Sequence, residues 1–140
     1  MSHSARDTAL KVLIDCRTHG AWADAALKAQ LARDQLSPQD AALCSRIVYG
    51  VTQNRLLLDF YLAAYCSQKP DHLQPPLLDI LRLGAYQILF LDKVPDRAAV
   101  SEAVELAKQY AGEDEYAFIN GVLGAVIRDM DPQVKDKKAK

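Results

Sequence analysis

The residues of this 140-residue chain with most capacity for chemistry are three cysteines, three histidines and scattered carboxylates, and their spacing limits what they can do. Cys16, Cys44 and Cys66 lie far apart, are odd in number and form no C-x-x-C pair. That pattern argues against both a disulfide framework and a zinc site. Each cysteine falls among apolar residues, where a reduced thiol acts as a small hydrophobe. His3, His19 and His72 fall in the N-terminal segment and two expected loops, without the i, i+4 spacing of a metal pair, and are expected at the surface. No glycine-rich turn follows a strand, so the phosphate-cradling and dinucleotide fingerprints are missing. Asp92 and Asp96 bracket a turn, where capping accounts for them better than acid–base work. No nucleophile–base pair emerges, and the expectation is a chain with no catalytic residue, metal or cofactor.

Binding residues are a different matter. In the expected first helix, Arg6 and Arg17 project within about 20° of one another at about 100° per residue, near Leu10 and Leu13. Lys11 lies to one side. Arg17 is expected to snorkel over apolar surface and pair with acidic neighbours. Arg6 and Lys11 are the cations nearest a helix start, where backbone N–H groups and the dipole favour phosphate. In the last expected helix Ala117, Gly121 and Gly124 place small residues at helical spacing, at a cost of up to about 1 kcal/mol per glycine relative to alanine. Close approach of a neighbouring helix would offset that loss; a ligand groove beside Asn120 is the second explanation. Asn120 needs hydrogen-bond partners if it is buried.

The elements that must position these groups are helical nearly throughout. Ala9, Leu13 and Cys16 recur at helical intervals up to Gly20, and Ala25, Leu27 and Leu31 mark a second helix within Ala21 to Leu36. Ser37-Pro38-Gln39-Asp40 reads as an N-cap, a proline at the first position and an acid at the third. That helix continues through Ile47 and Val48 toward Val51. Leu56 to Cys66 is a fourth, and Lys69 to Pro76, with three prolines, is a loop. Pro76 opens Leu77 to Leu91, apolar on nearly every side and so central to the core. Asp96 is placed to cap a helix carrying Val100, Ala103, Val104 and Ala107 up to Gly112, and Tyr116 to Met130 is the last. The fold class is all-α, about seven helices and no strand. Residues 1–4 and the charged tail 131–140 are expected to be disordered.

Half the residues are apolar and a quarter charged, the balance of one soluble domain. The polar start lacks a signal peptide's apolar stretch, and Leu77 to Leu91 is too short to cross a bilayer, which points to the cytoplasm. Net charge is −1. Residues 1–70 carry eight Lys/Arg against six Asp, and residues 71–140 nine against twelve acids, four of the nine in the tail. Strong non-specific attraction to nucleic acid is therefore excluded, and any such site must be a local patch.

Leu81 to Leu89 (LRLGAYQIL), Val94-Pro95-Asp96, Ser101 to Lys108 (SEAVELAK) and Phe118 to Leu123 (FINGVL) resemble, in this order and spacing, the NusB-like family. Val48-Tyr49-Gly50, Leu58-Asp59 and Arg6 with Ala9-Leu10 extend the likeness to about residues 5–130. The family has an antitermination branch, whose members bind RNA and a small-subunit ribosomal protein. Its other branch is the N-terminal domain of ribosomal RNA cytosine-C5 methyltransferases, and RLGAYQILFLDKVP is more similar to that one. Ser101, Gly121 and Gly124 depart from the methyltransferase pattern, and only Arg6 stands where antiterminators carry an arginine cluster. The resemblance implies an all-α bundle of two helical subdomains that binds RNA, ribosomal RNA first, through Arg6, Lys11 and Asn120. It implies partnership with a C-terminal methyltransferase domain or with the ribosomal protein, and places any S-adenosylmethionine-dependent activity in a parent protein. Cys44-Ser45 and Cys66-Ser67 imitate the nucleophile dipeptide of such enzymes, but a reactive thiol needs an activating, partly exposed site and a cofactor fold. A helical protein-interaction module without RNA is the third reading.

Overall fold

The computed structural model describes residues 4–129. Among them seven α-helices follow one another: α1 Ala5–His19, α2 Ala23–Asp34, α3 Pro38–Gln53, α4 Arg55–Ala63, α5 Pro75–Phe90, α6 Asp96–Tyr110 and α7 Tyr116–Arg128. Single 3-10 turns at Pro70–His72 and Glu113–Glu115 interrupt two connections. No strand occurs among the described residues. Of the segments expected to be disordered, residues 1–3 and 131–140 lie outside the described residues, while Ser4 is described and is ordered by its capping bond to α1.

Local chemistry sets the helix ends. Ser4 caps α1 by accepting from the Asp7 N–H at 3.0 Å, and Gly20 closes that helix in the left-handed conformation, φ 67°. Ser37 caps α3 through the Asp40 N–H at 3.1 Å, with Pro38 in the first turn. Some boundaries differ from expectation. Asp96 is not a cap but the first residue of α6, and Pro95 is the residue ahead of it. Gln35, at φ 51°, stops α2 before Leu36. Proline needs no amide partner in a first turn, so α5 starts at Pro75, ahead of Pro76.

α5 is the axis of the bundle. Every residue from Leu77 to Leu89 is buried, as expected of a helix apolar on all sides. It packs against α1, α3, α4, α6 and α7, while α1 also packs on α2 and α3. α1 and α5 run antiparallel: Arg6 meets Gln87 near the end of α5, whereas Arg17 reaches Pro75 and Asp79 near its start. Arg6 and Arg17 thus share the α5-facing side of α1, as the rotation predicted.

The close approaches occur at other glycines than those expected. A Cβ on Gly121 would meet nothing within 4 Å, and one on Gly124 would only touch an Arg128 nitrogen at 3.5 Å. Gly121 is exposed, so the expected helix contact there is corrected. The tight positions are Gly50, where a Cβ would lie 2.0 Å from the Tyr86 ring, and Gly84, where it would lie 2.6 Å from Leu123 Cδ1. Gly50 lets α3 press on α5; Gly84 brings α5, α6 and α7 together.

Candidate nucleic-acid interface

The end of α6 meets the start of α1, whereas the start of α7 lines one pocket with Leu73 and Leu77 at the start of α5. Tyr110, last residue of α6, donates its hydroxyl to Asp7 in the first turn of α1. The α6–α7 connection then returns the chain so that Lys108 Nζ lies 5.0 Å from the centroid of Tyr116.

Arg6 is fixed by one strong bond: its Nε donates to Oε1 of Gln87 at 2.6 Å. Gln87 is fully buried and satisfies its own amide on the Leu83 carbonyl at 3.2 Å. The guanidinium is therefore held rigidly, and among the described residues its two Nη groups carry no further hydrogen bond. Such a fork suits a phosphate.

Lys11 is engaged elsewhere. Its Nζ lies 3.2 Å from Asp7 and 3.3 Å from Asp34. Asp34 also accepts from Thr8 Oγ1 at 2.7 Å and from Gln30 at 3.0 Å. Burial works to raise the Asp34 pKa, but the bonds from Thr8, Gln30 and Lys11 hold it below the usual carboxylate value. Burial and the Asp7 bond push the Tyr110 phenol upward. Lys11 thus serves first to tie α1 to α2.

Asn120 is exposed on α7, with no hydrogen bond among the described residues. It stands one turn beyond Tyr116, itself 43% exposed, so the two share a face of α7. The candidate groups are thus an anchored arginine at the start of α1 and, on α6 and α7, an aromatic ring beneath a lysine and an exposed amide. Lys108 and Tyr116 were not foreseen; their encounter depends on the angle of the α6–α7 turn, which no spacing encodes.

The thiols are unactivated. Burial pushes the Cys44 thiol up to about 12, and burial also raises Cys16 and Cys66. His19 bonds the Asp15 carboxylate at 2.9 Å on the surface, and His72 is exposed; His3 lies outside the described residues. Among the described residues, no group of three or more His, Cys, Asp or Glu could hold a metal, and no helix is long and apolar enough to cross a membrane.

An all-helical bundle around a buried central helix carries these polar and aromatic groups on its surface. The chain matches the NusB family over residues 3–128, and it belongs to that family. It is 39% identical over 129 residues to the probable ribosomal RNA small subunit methyltransferase B of Bacillus subtilis, covering 92% of this chain but 29% of that protein. It is 36% identical over 135 residues to the transcription antitermination protein NusB of Symbiobacterium thermophilum, covering 90% and 88%. A crystal structure of antitermination factors NusB and NusE in complex with dsRNA superposes with a TM-score of 0.82 at 26% identity, covering 89% of this chain and 93% of that one.

Proposed function

We infer that this chain is an RNA-binding domain without catalysis of its own, and that it serves as the ribosomal RNA-recognising N-terminal part of a cytosine-C5 methyltransferase. The observation that carries the RNA reading is the anchored Arg6 fork, in a fold shared with a NusB–NusE–dsRNA complex, with Lys108, Tyr116 and Asn120 offering further contacts on α6 and α7. The methyltransferase context is supported by the likeness to the Bacillus subtilis protein, of which this chain spans less than a third. In that setting the S-adenosylmethionine chemistry lies outside residues 5–130, and the place of work is the cytoplasm.

A second reading, an antitermination factor, is favoured by one fact: the match covers 88% of the Symbiobacterium thermophilum protein. Its partner would then be a ribosomal protein of the NusE kind.

Within the interface Arg6 contacts phosphate, Asn120 borders the path, and Lys11 holds the α1 start in place while offsetting the negative charge of Asp7 and Asp34. With so few cations the affinity is modest and the salt dependence shallow, since each neutralised phosphate adds about 0.7 to the slope for a single strand. Fluorescence anisotropy of a labelled small-subunit ribosomal RNA fragment across a salt series tests this. Arg6→Glu should weaken binding and reduce the slope by about one unit. Unchanged binding would remove Arg6 from the interface, and no binding by the parent chain would favour a protein-interaction module. Titration with a NusE-type protein separates the two contexts.

A further inference from the structure

At the other end of α1, about 16 Å from Arg6 along the helix axis at 1.5 Å per residue, lies a cavity of about 350 Å³. Its walls include Arg17 of α1, Trp22 ahead of α2, Arg55 of α4, and Asp79 and Arg82 of α5.

The five side chains are not equivalent. Arg82 is committed: it grips Asp59 through two bonds of 2.8 and 2.7 Å. Arg17 is half-committed, donating to the carbonyls of Leu73 and Pro75 at 3.2 and 3.3 Å while its Nη1 stays 3.8 Å from Asp79 Oδ2. Arg55 is exposed and has no hydrogen bond among the described residues. Trp22, the only tryptophan in the chain, is 85% exposed. Asp79 is 2% exposed, yet its Oδ2 has no hydrogen-bond partner. A buried acceptor without a donor carries an uncompensated desolvation cost and calls for one.

The charges select the visitor. Arg17, Arg55 and Arg82 against Asp59 and Asp79 leave the pocket net positive, so a cation is disfavoured and an anion attracted. The occupant must still bring a neutral donor for Asp79 and a flat face for Trp22. An unpaired ribonucleotide combines all three: a phosphate, a ribose hydroxyl and a base that stacks on an aromatic ring. We propose that this cavity is a ribonucleotide site, with phosphate on Arg55 and Arg17, a sugar hydroxyl donating to Asp79 Oδ2 and the base on Trp22. It deepens the RNA-binding reading and rests on it only for the source of the nucleotide, a strand or a free molecule.

Trp22 provides its own signal. Titrating the chain with the diribonucleotide ApA should quench its tryptophan fluorescence saturably. Arg55→Ala, at an exposed position with no bond to lose, should weaken that binding about tenfold, and the deoxy dinucleotide should bind about fivefold more weakly than ApA. Circular dichroism would check that the variant is folded. Absence of saturable quenching, or quenching indifferent to Arg55→Ala, overturns the site. If the ribosomal RNA fragment binds while ApA does not quench, the pocket falls and the RNA-binding domain stands. If ApA quenches with the Arg55 dependence but no RNA fragment binds, the pocket stands as a free-nucleotide site and the RNA-binding reading falls.

Discussion

Gly50 faces the ring of Tyr86 so closely that a single methyl group on it would lie 2.0 Å from the Tyr86 Cζ. The ring has little room to retreat, because Tyr86 is 7% exposed and stacks on Phe90 with centroids 5.3 Å apart. Gly50→Ala should therefore force α3 away from α5 and destabilise the fold by about 1–3 kcal/mol or more. Gly121→Ala makes the contrast: with open space around it, the change should gain up to about 1 kcal/mol through helix propensity. Thermal denaturation of both variants settles this, and a lower melting temperature for Gly121→Ala would contradict the geometry.

The contrast also marks what could be read from the chain alone. The helix count, the cap at Ser37, the stop at Gly20 and the burial of Leu77 to Leu89 follow from local periodicity and turn chemistry. Which glycine touches a neighbour does not. Gly121 and Gly50 both cost helix stability, but only the tertiary crossing of α3 on α5 decides which is repaid. The same holds for the candidate site. Arg6 was legible as a cation at a helix start, whereas its anchor on Gln87, 81 residues away, was not. Lys11 looked like a free phosphate ligand because Asp34 is remote in sequence, although it lies 3.3 Å away in space.

That network has a consequence for mutagenesis. Lys11→Glu would set a third carboxylate beside Asp7 and Asp34 and should lower stability, so loss of RNA binding in that variant would report misfolding as much as contact. Tyr116→Ala is the cleaner probe. Removing a ring that a base can stack on should weaken RNA binding by about 1–3 kcal/mol, with a salt slope like that of the parent. An anisotropy titration showing parental affinity would take Tyr116 out of the interface.

Arg82 and Asp59 form a two-bond fork, with the Arg82 side chain 9% and the Asp59 side chain 24% exposed. Asp59→Ala leaves a buried guanidinium uncompensated and should cost about 2–4 kcal/mol. Replacing both partners, as in Asp59→Leu with Arg82→Met, should recover most of that loss, because the desolvation of two charges is then avoided. Urea denaturation of the single and double variants measures the difference; a double variant no better than the single would mean that the fork also fixes how α4 packs on α5.

Asp79 makes stability depend on pH. Burial raises its pKa to about 6, outweighing the lowering effects of Arg17, Arg82 and Arg55, while Asp59 adds to the rise. In the unfolded chain an aspartate titrates near its ordinary value of 3.8. The folded state thus prefers the neutral carboxyl. Its contribution is fully present below pH 3.8 and is lost as pH climbs through about 6, opposite in sign to a carboxylate held by a salt bridge. A shift of this size corresponds to about 3 kcal/mol at most, at 1.36 kcal/mol per pKa unit. Asp79→Asn retains the shape but cannot ionise. Relative to this variant, the parent should lose up to about 3 kcal/mol of unfolding free energy between pH 4 and pH 7.5. Denaturant titrations at four or five pH values give the difference curve, in which all other groups largely cancel. A flat difference across that range would show that Arg17 and Arg82 keep Asp79 ionised in the fold. The carboxylate would then be a paired charge, with no burial cost for a ligand hydroxyl to relieve.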